Sequence, residues 1–215
     1  MTTLKAYHGT CDYIDRFDIV GYMGKNTANN GGAIFFTTDV NVANAYSKES
    51  FIRQNEYNDN YEPIKDIVTD AINQEHVYSA DIDMTNCLDL DITEVYNKEF
   101  YKRQHRTDIM DANLINHIVN ILQQRQYQRY MEYYDDRTDC IAFEIILPYL
   151  EEYDEEQDEY IEKDVYYDVI RVKNCVDSID EDSHWRPSDI IIVLDENIIN
   201  DVKLIKGMEL NDLLD

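Results

Sequence analysis

The sequence predicts an α+β fold, and three observations predict it. Short apolar runs of strand character stand near both ends, Leu4–His8 and Ile190–Leu194. Two segments with a 3.6-residue apolar period, Glu62–Gln74 and Thr107–Tyr130, lie between them. No internal repeat is evident. Strands at both ends with helices between them suggest a sandwich whose first and last strands meet at the core. With 215 residues, 44% of them apolar, the chain suffices for one compact domain carrying insertions.

Leu4-Lys5-Ala6-Tyr7-His8 alternates like a short strand, and Gly9 frees the backbone for a tight turn. Asn26 to Gly32 has loop chemistry. The aromatic run Ala33 to Thr37 after it is too short for a helix and reads as a central strand. Thr38 or Asp39 caps the next helix, which places Val42, Ala43 and Tyr46 on one face.

Glu62 to Gln74 reads as an amphipathic helix with Pro63 in its first turn. Val77 to Asp83 returns to the strand period, and Asn86 to Leu90 is a loop feeding an extended piece. A long helix begins at Thr107 or Asp108 and carries Met110, Leu114, Ile115, Ile118, Val119, Ile121 and Leu122 on its apolar stripe. Cys140 to Leu147 is apolar with β-branched residues, whereas the acidic run Glu151 to Glu162 reads as a solvated loop or exposed face. Val165 to Lys173 resumes strand character. Ser188 to Asp195 holds the run Ile190-Ile191-Ile192-Val193-Leu194 of a buried strand, and Asn197 to Leu204 leads into a final edge segment.

The net charge is −26, unevenly spread. Residues 131–168 hold 15 acidic and 2 basic side chains, while residues 1–60 are nearly balanced with 7 and 5. Such a field repels bare nucleic acid and favours basic protein partners. No apolar stretch of 18 residues and no signal-type run occurs, so a soluble, cytoplasmic protein without membrane contact is expected. Cys11, Cys87, Cys140 and Cys175 are scattered with no zinc spacing. They read as free thiols, and no metal site is expected at His76, His105, His117 or His184.

Gly21-Tyr22-Met23-Gly24 lacks the spacing of a dinucleotide-binding fingerprint. A dinucleotide pocket built otherwise needs a group for ribose hydroxyls, backbone groups that pair with a carboxamide, and aromatic faces for a planar ring. His8, Gly9, Phe35 and Tyr46 are of these types. Taken singly, His8 reads as a strand-end histidine satisfied by backbone, and Phe35, Phe36 and Tyr46 as core residues.

Together the segments resemble ADP-ribosyltransferases of the diphtheria-toxin and poly(ADP-ribose)-polymerase branch, which uses a His-Tyr-Glu triad. Tyr7-His8-Gly9-Thr10 is similar to that branch's Tyr-His-Gly-Ser/Thr motif. Gly31-Gly32-Ala33-Ile34-Phe35-Phe36 is similar to its Gly-x-Gly-Ile-Tyr-Phe motif, and Tyr46 falls 11 residues beyond Phe35 as in the branch. Phe-Thr-Thr-Asp-x-x-x-Ala-x-x-Tyr is closer still to small transferase domains of phage and mobile-element polyvalent proteins. Val77–Ile82, Asn86–Asp91 and Ile191–Asp195 resemble the later elements of those domains.

The resemblance implies a single domain over residues 1–215, an ADP-ribosyltransferase-like split β-sandwich with a helical and acidic insertion at about 95–165. It implies NAD as the substrate and a cofactor-binding set of Tyr7, His8, Gly9, Thr10, Phe35 and Tyr46. His8 would bond a ribose hydroxyl and Gly9 would clamp the carboxamide. The implied activity is mono-ADP-ribosyl transfer, with release of nicotinamide, to a protein or other macromolecule. Its oxocarbenium-like transition state calls for a carboxylate.

The sequence departs from the branch at three points. Phe35 replaces a tyrosine, Ala43 stands where polymerases have a serine, and the register of the catalytic glutamate lands on Ile190. Asp189, one residue away, is the candidate carboxylate if a bulge absorbs the change of face, with Glu181 and Asp182 as alternatives. A target protein is expected at the loop that holds His184, Trp185 and Arg186. The alternative reading is an inactive transferase fold whose acidic surface occupies a basic partner.

Overall fold

In the computed structural model, the residues described are 2–11, 13–19, 33–55, 75–91, 115, 118–119, 121–122, 137–154, 159–163, 165–176 and 187–207. The expected helix at 62–74, Gly31, Gly32, Glu181, Asp182 and the loop of His184–Arg186 lie outside them.

Among the described residues nine strands form, and seven of them share one hydrogen-bonded sheet. They are β1 (Thr3–Thr10), β2 (Ile34–Thr37), β3 (His76–Asp83), β4 (Cys87–Asp91), β5 (Glu151–Asp154), β6 (Glu159–Glu162), β7 (Val169–Val176), β8 (Pro187–Val193) and β9 (Ile199–Lys206). The sheet order is β4-β7-β8-β2-β1-β3-β9, and β5 and β6 pair separately. The helices among the described residues include α1 (Val40–Asn55), α2 (Arg137–Leu150) and a 3-10 turn at Glu196–Ile198. The molecule is therefore mixed α+β, mostly sheet.

The first and last strands do not meet. β9 is an edge strand separated from β1 by β3, and the isoleucine-rich β8 is separated from β1 by β2. Two long antiparallel pairings, β1 with β3 and β7 with β8, take the place of closure of the ends, each aligning its partners over most of a strand length. The expected edge position of β9 stands; Val202 and Ile205 are exposed on it.

Strand alternation divides the core between the two faces of the sheet. On one face Ala33, Leu88, Leu90, Ile170, Val172, Ile190 and Ile192 pack with Ala142, Ile146 and Leu150 of α2. The helical residues Ile115, Ile118, Val119, Ile121 and Leu122 join them, and these fall on the stripe that the 3.6-residue period predicts. On the other face Ala6, Ile34, Phe36, Tyr78, Ala80, Ile82, Val169, Ile191 and Val193 pack with Phe17 and Ile19.

The acidic run at 151–162 contains an antiparallel hairpin, with Tyr153 opposite Tyr160. Aromatic and β-branched residues within the run favour an extended backbone, and antiparallel pairing satisfies it despite the charge. β4 and β7 run parallel, so the chain between them makes a crossover, and α2 and the β5–β6 hairpin lie within it.

The β2–α1 corner positions the candidate site. Asp39 is the N-cap, its Oδ1 accepting from the Asn41 N–H at 2.8 Å. Ala43 and Ser47, one turn apart, form the buried side of α1, whereas Tyr46 is 37% exposed. The helix lies so close to β1 that a Cβ on Gly9 would stand 1.7 Å from the Ala43 carbonyl oxygen and 2.9 Å from the Ser47 nitrogen. Only glycine permits this approach. Gly9→Ala is expected to push α1 off the sheet and cost about 3 kcal/mol of stability. Urea denaturation of wild type and variant checks this; equal midpoints would contradict it.

Candidate functional site

The sheet comes partly apart where the His-Gly-Thr segment ends. β1 pairs with β3 along eight consecutive positions, but with β2 at the single pair Tyr7↔Thr37. β2 in turn pairs with β8 along its four residues. The Thr38 N–H donates to the Asp189 carbonyl at 3.0 Å, on the β8 side. Alternation therefore turns the backbone groups of Thr37 and Phe35 toward β1, and those of Tyr7 and Gly9 toward β2. The next ladder pair would be Gly9 with Phe35. It does not form, and His8 Nδ1 bonds the Phe35 carbonyl oxygen instead, at 2.8 Å.

A carbonyl only accepts, so Nδ1 carries the proton and Nε2 is an acceptor. The ring is buried, edge-on to Phe17 at 5.2 Å between centroids and tilted against Phe36 at 5.6 Å. Burial pulls its pKa from an ordinary 6.5 down to about 4, opposed in part by the Phe35 bond. His8 is thus a neutral imidazole of fixed tautomer at pH 7.

The other expected residues divide between the faces. Tyr7 and Thr37 are cross-strand partners, so Tyr7, Gly9, Phe35 and Thr37 share the face covered by α1, the helix that carries the exposed Tyr46. Phe35 packs there against the cluster that holds Ile190 and Ile192. His8 and Thr10 lie on the opposite face; Thr10 is buried opposite His76.

Ile190, paired with Thr37, occupies the register position of the carboxylate and is buried. Asp189 shares the face of Ile191 and Val193. A bulge is present beside it, but on β7. Lys173 and Asn174 together stand opposite Asp189, and Asn174 takes φ 55°. The Asp189 carboxylate accepts from Arg171 Nε at 2.7 Å and Nη2 at 2.5 Å, and from the Asn174 N–H at 3.0 Å. The bulge thus directs an N–H at Asp189 and leaves β8 in regular register with β2.

Arg171 was absent from the expected set, although a lone cation in Val169-Ile170-Arg171-Val172 signals that an anion must stand near it. Phe17 and Tyr78, which line the His8 surroundings, carry no local motif at all. Among the described residues no group of three or more His, Cys, Asp or Glu is arranged to hold a metal ion, and no helix is long and apolar enough to cross a membrane. Cys11 and Cys175 are buried thiols. Burial, chiefly, pushes the Cys87 thiol up to about 11, which disfavours the thiolate. No protein-family model, curated protein or solved structure matches the chain.

The buried His8 makes stability depend on pH. Between pH 6.5 and about 4 the unfolded chain protonates this ring while the folded chain does not, so stability falls as pH falls through that window. His8→Asn keeps an N–H for Phe35 and removes the titration. Wild type is expected to lose on the order of 3 kcal/mol more than His8→Asn between pH 7 and pH 4. Denaturation at each pH measures this, and parallel curves for the two proteins would contradict it.

Proposed function

We propose that this chain is an NAD-dependent mono-ADP-ribosyltransferase that takes nicotinamide into the gap between β1 and β2. One observation carries the reading: the β1–β2 ladder stops after Tyr7↔Thr37, leaving Gly9 and Phe35 unpaired with each other. An extended residue offers one N–H and one C=O on the same edge. A primary carboxamide offers the complementary C=O and N–H, so Gly9 can pair with it as it would with a strand.

Phe35 and Tyr46 supply aromatic faces on the α1 side of that edge, and the loss of a tyrosine hydroxyl at position 35 leaves stacking intact. His8, a neutral imidazole on the other face of the seam, is the residue that the resemblance assigns to a ribose hydroxyl. In this reading the molecule is a split β-sandwich, opened at the β1–β2 seam. The acidic surface repels bare nucleic acid, and the acceptor of ADP-ribose is a protein with basic character.

Transfer breaks the bond between the nicotinamide nitrogen and ribose, whose electron pair leaves with neutral nicotinamide, and forms a new bond between the ribose carbon and a nucleophilic atom of the acceptor, which gives up its proton to solvent. A carboxylate near that carbon stabilises its developing positive charge. Asp189, Glu181 and Asp182 are the carboxylates that the sequence offers for this role. Nicotinamide release from labelled NAD, with and without cell lysate, tests the activity. We expect release by wild type and a loss of at least about tenfold in His8→Ala. Release by neither protein would overturn the proposal.

A second reading is favoured by one further observation: Ile190 stands opposite Thr37, and the nearest carboxylate on β8 is bound by Arg171. It makes the chain an inactive fold that binds a basic partner. Association with that partner should then weaken about tenfold or more between 50 mM and 300 mM salt, independently of NAD. A complex unmoved by salt would count against it.

A further inference from the structure

Asp189 is tied to two elements at once. Its carboxylate is held by the forked guanidinium of Arg171 and by the Asn174 N–H at the β7 bulge. Its backbone holds the β2–α1 corner: the Asp189 N–H donates to Thr38 Oγ1 at 3.0 Å and the Thr38 N–H donates to the Asp189 carbonyl at 3.0 Å. Beside it, Thr37 Oγ1 donates to Ser188 Oγ at 3.1 Å and accepts from the Asp39 N–H at 3.2 Å. Asp39 is the cap that starts α1, and α1 rests on Gly9. A continuous set of bonds therefore runs from Arg171 through residues 188–189 and the cap to the helix beside the β1–β2 gap.

We infer that Arg171 and Asp189 are positioning residues for that gap: their ion pair anchors the start of β8, which fixes the first turn of α1 and with it Tyr46 and the Gly9 edge. Arg171 is 32% exposed and Asp189 17%, so the pair is partly withdrawn from water and its two-nitrogen geometry is held. The inference rests on the NAD reading and gives Asp189 a task that contacts no substrate. The transition-state carboxylate then belongs to another residue.

The test uses the full chain as wild type, Arg171→Gln, Asp189→Asn and the double variant, with Arg171→Lys as the conservative control. Asp189→Asn keeps an acceptor for the Asn174 N–H. Each protein is assayed for nicotinamide release over a range of NAD concentrations and for amide hydrogen exchange. A positioning pair gives each single variant a KM for NAD raised about tenfold with kcat within about threefold. The double variant is no worse than either single one, because both remove the same interaction. Arg171→Lys recovers part of the loss. Exchange rises about tenfold over residues 38–47 while β3 amides are unchanged, which separates a local effect from general destabilisation.

A kcat loss of a hundredfold or more in Asp189→Asn alone, with exchange at 38–47 as in wild type, would overturn the inference and put the carboxylate on the substrate. Unchanged exchange in both single variants would also overturn it. If wild type releases no nicotinamide, the NAD reading fails, and the exchange comparison alone then decides whether the pair positions α1.

Discussion

The bond from His8 to the Phe35 carbonyl sets the shape of everything around it. A strand pair missing from the middle of a sheet leaves backbone groups to be satisfied, and each buried group left alone costs about 1–3 kcal/mol. Here the imidazole takes the carbonyl that Gly9 would have taken. That substitution holds β1 and β2 together while keeping them from zipping shut. It requires a proton on Nδ1, and burial among Phe17 and Phe36, which outweighs the opposite pull of the bond itself, keeps the ring neutral. The same aromatic enclosure that stabilises the fold thereby fixes the chemistry of the ring.

Around this seam the two halves of the sheet are conventional. β1, β3 and β9 form one antiparallel set, and β2, β8 and β7 form another, extended by the parallel β4. Each half has its own ladder, and on the face that holds Phe17 residues of both halves pack in one cluster. α1 spans the seam: it begins at the end of β2 and rests on Gly9 of β1. Its entry is governed from β8, through Thr37, Thr38, Ser188 and Asp189. The far edge of the sheet is blunted in the usual way, by register shifts in the β3–β9 pairing, a left-handed Asp201 and the lysines of β9.

Much of this was legible in the residues. The strand at Leu4–His8, the central strand at Ile34–Thr37, the cap at Asp39 and the buried run at Ile190–Val193 each follow from local pattern and turn chemistry. The paired motifs at His8-Gly9 and Phe35 pointed to the seam. What sequence could not supply was pairing order. Nothing in β1 or β9 says that β3 will come between them, because partner choice depends on registers summed over whole strands. The hairpin in the acidic run at 151–162 was hidden by its charge, since net charge governs solvation while β-branched and aromatic residues govern the backbone. Asp189 was legible as an acid beside a register problem; its partner Arg171 is 18 residues away in sequence and meets it only through the β7–β8 pairing.

The account stands or falls on whether the Gly9 edge accepts a carboxamide. The most direct measurement is an NMR titration of the isotope-labelled full chain with nicotinamide and, separately, with nicotinic acid, following the Gly9 amide and the resonances of Phe35 and Tyr46. The account requires nicotinamide to move all three saturably. Nicotinic acid, whose carboxylate has no N–H to give the Gly9 carbonyl, should leave them in place at the same concentrations. Gly9 resonances unmoved by nicotinamide, or moved equally by the acid, would contradict it.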